Sequence, residues 1–260
     1  MKKRAISLIG AALVAAACGD ATAPGNTSGV SLSFFTGAQG APAAAPGGFF
    51  SMAPAADTFA VGEDELIISK VEVVLREIEL KRIESGSCDS LTVGDDDCEE
   101  FEFGPVLLEL PLNGEVERLV AIQIDSGTYD EIEFDIHKVS NDDAEDAAFR
   151  QAHPHMAGQS IRVEGTFNGE AFVYETDLDE EQEYDLVPPL MIDSLPVATN
   201  VTVRIDISTW FRDGGGSLVD PTSANKGEVN EGLVKENIKN SIDAFEDEDE
   251  DGDDEDEDGS

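Results

Sequence analysis

The stretch ELIISKVEVVLREIELKRI, residues 65–83, has the residue pattern of one long β-strand. Its apolar residues alternate with polar ones in two phases, first Val71, Val73 and Leu75, and then Ile78 and Leu80. Alternation with period two places apolar side chains on one face of a sheet. A change of phase within a strand indicates an inserted residue. The stretch therefore predicts a half-buried strand with a β-bulge near Arg76.

The same alternation recurs along the chain. It fills YDEIEFDIHKV (129–139) and NVTVRIDI (200–207), and it flanks Asn168-Gly169, which is the signal of a two-residue type I′ hairpin. Shorter strand-like runs lie at 101–103, 106–110, 118–124 and 182–187. About nine or ten strands without an internal helix favour an all-β, antiparallel β-sandwich.

Three segments resemble a known pattern: IISKVEVVLREIEL (67–80), LLELPLNG (107–114) and IDSGTYDEIEFDI (124–136). In order, they are similar to the strand, turn and Gly-x-Tyr strand of an uncharacterised β-rich domain of bacterial lipoproteins, a family of unknown function. The resemblance covers about residues 30–140 well and the remainder loosely. It implies a secreted, anchored sandwich of the transthyretin-like or immunoglobulin-like sort, and it carries no catalytic residues.

The first seventeen residues have the layout of an export signal. A basic start (Lys2 to Arg4) is followed by an apolar run, Ile6 to Ala17, which is shorter than the roughly 20 residues that a membrane-spanning helix needs. The stretch before Cys18 resembles a bacterial lipoprotein signal, although Ala15 stands where leucine is usual. We expect Cys18 to be acylated and to tether the chain to a membrane. An ordinary signal peptidase cut, which leaves a free thiol at Cys18, is the alternative.

The two remaining cysteines lie close together in sequence. Cys88 and Cys98 are in an acidic, glycine-containing segment, and an exported protein meets conditions that permit disulfides. We expect them to pair, with a stabilisation somewhat below the ~3 kcal/mol of a fifteen-residue loop. A zinc site is less favoured, because no CxxC or nearby histidine completes four ligands.

The charge balance limits the possible partners. The chain has 57 acidic and 16 basic residues, a formal net charge of −41. Nucleic acids are bound through clustered lysine and arginine, and no such cluster is visible in the sequence. Nucleic acid is therefore excluded as a partner. Solvation, or a host that lives in high salt, also explains such acidity.

The composition divides the chain into successive zones. These are a signal peptide at 1–17, an Ala/Pro/Gly-rich tether at 18–59 with a possible first strand at 30–36, a β-sandwich at 60–212, a loop and C-terminal helix at 213–245, and an acidic, disordered tail at 246–260. The helix is expected from about 231 to 245, because Asn230 is a good N-cap and apolar residues follow at helical spacing.

The tail contains alternate carboxylates around a glycine, as does a calcium-binding EF-hand loop. The candidate ligands are Asp247, Asp249, Asp251, Asp253, Glu255 and Asp258. A run of acids matches such a pattern by chance, and a solvated tail is the alternative. No cofactor other than calcium is expected.

Other residue combinations allow weaker hypotheses. The His153-Pro154-His155 segment offers two ligands for a transition metal, and the aromatic residues Trp210, Phe211, Tyr174 and Tyr184 offer a surface on which a sugar ring can stack. His137 is expected on the solvent face of its strand. No nucleophile and base pattern is visible.

Two functions are consistent with these features of the sequence. The first is a non-catalytic, lipid-anchored module of the cell envelope, at the outer membrane or cell surface, that binds an envelope component or a glycan. The second is a hydrolase of envelope or extracellular polysaccharide that uses a carboxylate pair.

Overall fold

A computed structural model describes residues 28–37, 56–83, 105–112, 116–124, 127–192 and 199–246. The strands in this part of the chain are β1 Ser28–Thr36, β2 Asp57–Val61, β3 Asp64–Arg82, β4 Val106–Glu109, β5 Val116–Ile124, β6 Gly127–Ile136, β7 Ile161–Phe167, β8 Glu170–Thr176, β9 Glu180–Ile192, β10 Thr199–Ile205 and β11 Ile242–Glu246. The helices are α1 Asp146–Ala152 and α2 Glu231–Lys239, with 3₁₀ turns at Pro154–Met156 and Pro221–Ala224. The protein is mostly β, as the alternation predicts.

The strands form two sheets. The smaller sheet has the order β11-β10-β1-β5, and the larger has the order β8-β7-β3-β6-β9, with β2 and β4 also paired to β3. Most neighbouring strands are antiparallel, but β1 runs parallel to β10. The prediction of a purely antiparallel arrangement is therefore wrong at this pair, because local alternation carries no information on which distant strands meet.

One apolar core joins the two sheets. It contains Leu32 and Phe34 from β1 and Val203 from β10, together with Val73 of β3 and Phe134 of β6 from the larger sheet. Each of these side chains is almost completely buried. Removal of this apolar surface from water is the main favourable contribution to folding, so the interior faces of the two sheets stabilise each other.

The bulge in β3 lies where the change of phase predicts it. The register with β6 shifts between Arg76 and Glu79, and Glu77 has a φ of +52°, in the left-handed region. Beyond the bulge, Ile78 and Leu80 return to the core. The inserted residue lets one long strand bend while it keeps its apolar side chains on the same side.

A second, smaller apolar cluster covers the other face of β3. Val74 packs there with Val139, Phe149 of α1 and Met156. The expectation of no internal helix is wrong, because α1 forms between β6 and β7. The helix is only seven residues long with one large apolar contact, which is too short for a visible helical period, and it ends before Pro154, whose predecessor disfavours helical geometry.

The Asn168-Gly169 hairpin is confirmed. These two residues connect β7 to β8, and both have positive φ, +52° and +81°. The Asn168 side chain adds two bonds across the turn: its Oδ1 accepts from the backbone N–H of Glu65, and its Nδ2 donates to Asp64. This hairpin is therefore held to the β2–β3 turn as well as to itself.

The C-terminal helix is shorter than the sequence indicates. It begins at Glu231 after the N-cap position of Asn230, but it ends at Lys239, and Ile242–Glu246 forms β11 beside β10. The prediction of a helix to residue 245 is wrong. Residues 242–246 form a strand instead, although their apolar spacing also suits a helix, and this strand provides hydrogen-bond partners for the backbone of β10. Strands β1 and β11 therefore belong to the smaller sheet, although they lie outside residues 60–212, to which the sequence assigns the sandwich.

Candidate functional site

The outer face of the larger sheet carries two acidic strands side by side. In β6 and β9, period two sends Ile132, Phe134 and Gln182 inward, and the residues between them outward. The outward residues read Glu-x-Glu-x-Asp in both strands, at 131–135 and at 181–185. Because β6 and β9 are antiparallel neighbours, these carboxylates are brought together in cross-strand pairs.

Strand β3 completes a grid of charged residues on this face. Its three rows across β3, β6 and β9 are Arg76–Asp135–Glu181, Glu79–Glu133–Glu183 and Lys81–Glu131–Asp185. Seven of these nine side chains are carboxylates and two are cations, a formal charge of −5. We call these nine residues the acidic grid.

Lys81 is one of the two cations in the grid. Its Nζ lies 3.0 Å from Glu131 Oε1 and also donates to Glu133. Burial by itself would lower the pKa of Lys81, but the hydrogen bonds to Glu133 and Glu131 outweigh burial and raise it. On the solvent side, repulsion from Glu133 raises the pKa of Glu181. The grid therefore retains negative charge that its own cations do not neutralise.

Three carboxylates in the grid converge closely enough to share one ion. Oxygen atoms of Glu131, Glu133 and Glu183 all lie within 4.8 Å of one another. Carboxylate oxygens are the ligands that hard cations such as Ca²⁺ prefer. The arrangement can therefore bind a divalent cation or another small cationic group.

A second charged site, around Glu72, is built into the same sheet. The Glu72 carboxylate is buried, with Oε1 at 2.8 Å from Lys70 Nζ and 3.1 Å from His155 Nε2, and Oε2 at 3.4 Å from Arg162 Nη1. Burial alone would raise the pKa of Glu72, but the hydrogen bonds from Lys70 and His155 lower it. Glu72 therefore stays ionised and acts as a structural anion.

Three lysines meet at Asp177, which follows β8. Lys226, Lys235 and Lys138 place their Nζ atoms 2.5, 2.8 and 3.3 Å from its carboxylate. Hydrogen bonds from Lys226 and Lys235 are the main reason that the pKa of Asp177 lies well below its usual range. Because the three lysines come from separate segments, Asp177 joins α2 and the preceding loop to the end of β6.

His137 is buried, so the expectation of a surface histidine is wrong. Its side chain is 5% exposed and its Nε2 lies 2.8 Å from Asp146 Oδ1, which belongs to α1. The other oxygen of Asp146 accepts from the Ser140 backbone N–H. The pair therefore fastens α1 to the end of β6.

The structure also shows where the residues of the other sequence hypotheses lie. His155 contacts Glu72 and the His153 ring packs on Phe149, while the two imidazole rings meet edge to face with their centroids 6.3 Å apart. The sugar-stacking hypothesis is wrong for Trp210, Phe211 and Tyr174, because these rings are buried in the core. Tyr184, the fourth ring of that hypothesis, is half-buried and stacks on Phe134. Several predicted site residues lie outside the described residues: Cys18, Cys88, Cys98, Asp247, Asp249, Asp251, Asp253, Glu255 and Asp258.

The sequence reasoning missed the acidic grid. The signal was present in the repeated Glu-x-Glu-x-Asp pattern, but the acids of one strand have meaning only beside those of its neighbour. The pairing of β6 with β9 crosses the α1 segment and a hairpin, which local alternation does not reveal.

Comparison of the chain with protein-family models, with curated proteins and with solved structures found no match. The class of protein is therefore defined by its own architecture, a mostly β chain of two sheets. Among the described residues, no helix combines the length and apolar character that crossing a bilayer requires. On the part of the surface that the structure describes, the acidic grid brings seven carboxylates together on one sheet face.

Proposed function

We propose that this chain is a lipid-anchored, extracytoplasmic β-sandwich that binds cations on its acidic grid and performs no catalysis. The sandwich is supported by the larger apolar core, to which both sheets contribute. The anchor is the acyl group expected on Cys18, and the Cys88–Cys98 disulfide belongs to the same exported state.

The observation that carries the proposal is the direct pairing of like charges. Glu133 lies between Glu79 and Glu183 in register, and Glu131 lies opposite Asp185. Like charges directly opposite on neighbouring strands destabilise a sheet. A bound cation relieves this repulsion, so the ligand that fits the face is positively charged.

The position of the acids on strands favours binding over simple solvation. Side chains on paired strands keep a fixed spacing, whereas acids on loops do not. Lys81 already shows that a cationic group fits between Glu131 and Glu133. The third carboxylate of this cluster, Glu183, lies on the edge strand β9 and is exposed, so a cation can reach the cluster from solvent.

The ligand class follows from charge and location. Outside the cytoplasm the available hard cations include divalent Ca²⁺, which carboxylates prefer as a ligand partner, and extracellular calcium modules work with dissociation constants of about 10⁻⁴–10⁻³ M. We take Ca²⁺ as the probe. The acids of the tail, from Asp247 to Asp258, add a second and independent source of loose cation binding.

Calorimetric titration with Ca²⁺ tests the proposal. We expect the chain without residues 1–17 to bind with a dissociation constant of about 1 mM or below. A Glu133→Gln/Glu183→Gln variant should bind at least about tenfold more weakly. The matched control is Glu109→Gln/Glu170→Gln, which removes the same charge elsewhere on the sheet.

A chain that ends at Glu246 separates the tail from the grid. Binding that survives this truncation and is lost in the grid variant supports the proposal. Identical isotherms for the unmodified chain and the grid variant would show that the grid is not the cation site.

A further inference from the structure

An exposed apolar patch lies on the larger sheet beside the acidic grid. Ile83, Val187 and Met191 are 39%, 79% and 72% exposed, and Pro188 and Pro189 are exposed between them. We call these five residues the apolar patch. The other large apolar side chains exposed in the described part of the chain are isolated, Val173 on β8 and Val229 in the loop before α2.

The sheet register brings the members of the patch together. Met191 is the partner of Thr128 in β6, and the Ile83 N–H donates to the Thr128 carbonyl at 2.9 Å. The register of β6 with β9 also shifts between Tyr129 and Glu131, where residues 186–189 of β9 oppose a single residue. This bulge contains Val187, Pro188 and Pro189, so three of the five patch residues lie exposed in the bulge of the edge strand.

The patch lies at the end of the molecule where the N-terminal tether joins the sheets. Ser28, the first residue of β1, is paired with Ile124 of β5. Gly127, three residues later, is paired with Ile192, the neighbour of Met191. With strands about 5 Å apart and about 3.3 Å per residue, Ser28 and Met191 are within about 25 Å of each other.

The tether keeps this end of the molecule within reach of a membrane. Cys18 is ten residues before Ser28 in the sequence. Ten residues span at most about 35 Å when fully extended. Acyl chains on Cys18 therefore keep Met191 within about 60 Å of the lipid surface, so the apolar patch can reach it.

We propose that the apolar patch is a membrane-contact surface that seats the anchored protein against the lipid bilayer. This inference rests on the acylation of Cys18 in the proposed function. The lipid it fits is zwitterionic, because β11 ends at Glu246 near the same end and the acids of the tail follow it. Acids at a lipid surface are repelled by anionic headgroups, so the contact is apolar and insensitive to salt.

Quenching of a tryptophan placed in the patch tests the inference. The Met191→Trp variant is anchored by its N-terminus to phosphatidylcholine vesicles whose acyl chains are brominated, and quenching of its tryptophan fluorescence is measured. The natural Trp210 is buried and gives a constant background. Because apolar side chains at an interface enter the acyl boundary by about 5–10 Å, we expect at least about twofold more quenching than in the matched controls Val173→Trp and Val229→Trp.

A further change shows that the patch itself makes the contact. Adding Val187→Ser to the Met191→Trp variant should reduce the extra quenching, and adding anionic lipid should do the same. Equal quenching in the patch and control variants would overturn the inference. So would a dimer in sedimentation velocity that Val187→Ser/Met191→Ser dissociates, because a second copy would then occupy the patch.

The anchor in this experiment does not need natural acylation. Where Cys18 proves to be unmodified, a hexahistidine before residue 18 and a nickel-chelating lipid provide the same tether. An unmodified Cys18 would show that the proposed lipid anchor is wrong. Equal quenching of the patch and control variants, on either tether, would show that the proposed membrane contact is wrong.

Discussion

At the scale of single residues, Glu72 shows how this acidic chain uses a buried charge. A carboxylate removed from water loses hydration, and only hydrogen-bonded cations compensate for that loss. Lys70, His155 and Arg162 provide them from the same strand, from the turn after α1 and from β7. Glu72 thus links three segments through one side chain.

The Glu72→Gln variant should lower the free energy of unfolding by about 2 kcal/mol, because three donors lose a charged acceptor in a buried position. Urea denaturation at neutral pH measures this loss. Glu109→Gln, the register neighbour of Glu72 whose side chain is 66% exposed, should cost less than about 0.5 kcal/mol.

The dependence on pH follows from the direction of the pKa shift. Because folding lowers the pKa of Glu72, its stabilisation is complete above the ordinary glutamate pKa of about 4.3 and disappears as the pH falls through the folded value. The difference between Glu72→Gln and the unmodified chain should therefore shrink in acid. A difference that stays constant from neutral pH to acid would contradict this assignment.

At the scale of elements, the sequence predicts strands better than it predicts their partners. Alternation identified β3 with its bulge, β6 and the β7–β8 hairpin, because each of these signals is contained in a few neighbouring residues. The parallel pairing of β1 with β10 and the pairing of β6 with β9 depend on distant contacts. The acidic grid depends on the second of these pairings, which is why single-strand reasoning could not assemble it.

The boundary between α2 and β11 shows a different reason for error. Ile238, Ile242 and Phe245 fit a helical period, and the same residues also fit a short helix followed by a strand. The choice is made by tertiary contacts: the Ser241 hydroxyl accepts from Trp210 Nε1 at 2.8 Å, and β11 pairs with β10. Periodicity alone contains neither contact.

Asp177 should control how firmly α2 is attached. In Asp177→Asn, Lys138, Lys226 and Lys235 lose their shared anion and repel one another, so we expect a loss of about 1–2 kcal/mol. Hydrogen exchange of α2 amides should become faster. Glu236→Gln, which removes an exposed charge from the same helix, is the control. Equal exchange rates in α2 for Asp177→Asn and the control would show that Asp177 does not hold the helix.

At the scale of the whole molecule, the two ends of the smaller sheet connect to different parts of the chain. At one end the tether enters through Ser28, and the apolar patch lies nearby. At the other end, Gly37 donates to the carbonyl of Ile205, and the chain continues into the loop and α2. The proposed orientation therefore places the apolar patch at the membrane, α2 away from it, and the acidic grid between them.

Export to the envelope and acylation of Cys18 are the premises of both proposals, and one measurement tests them together. Cells of the native host are labelled with a palmitate analogue and fractionated. The intact mass of the chain is then measured in each fraction. We expect label in the envelope fraction, loss of residues 1–17, and no label in Cys18→Ser. An unlabelled chain in the cytosol that still carries its first seventeen residues would contradict the account.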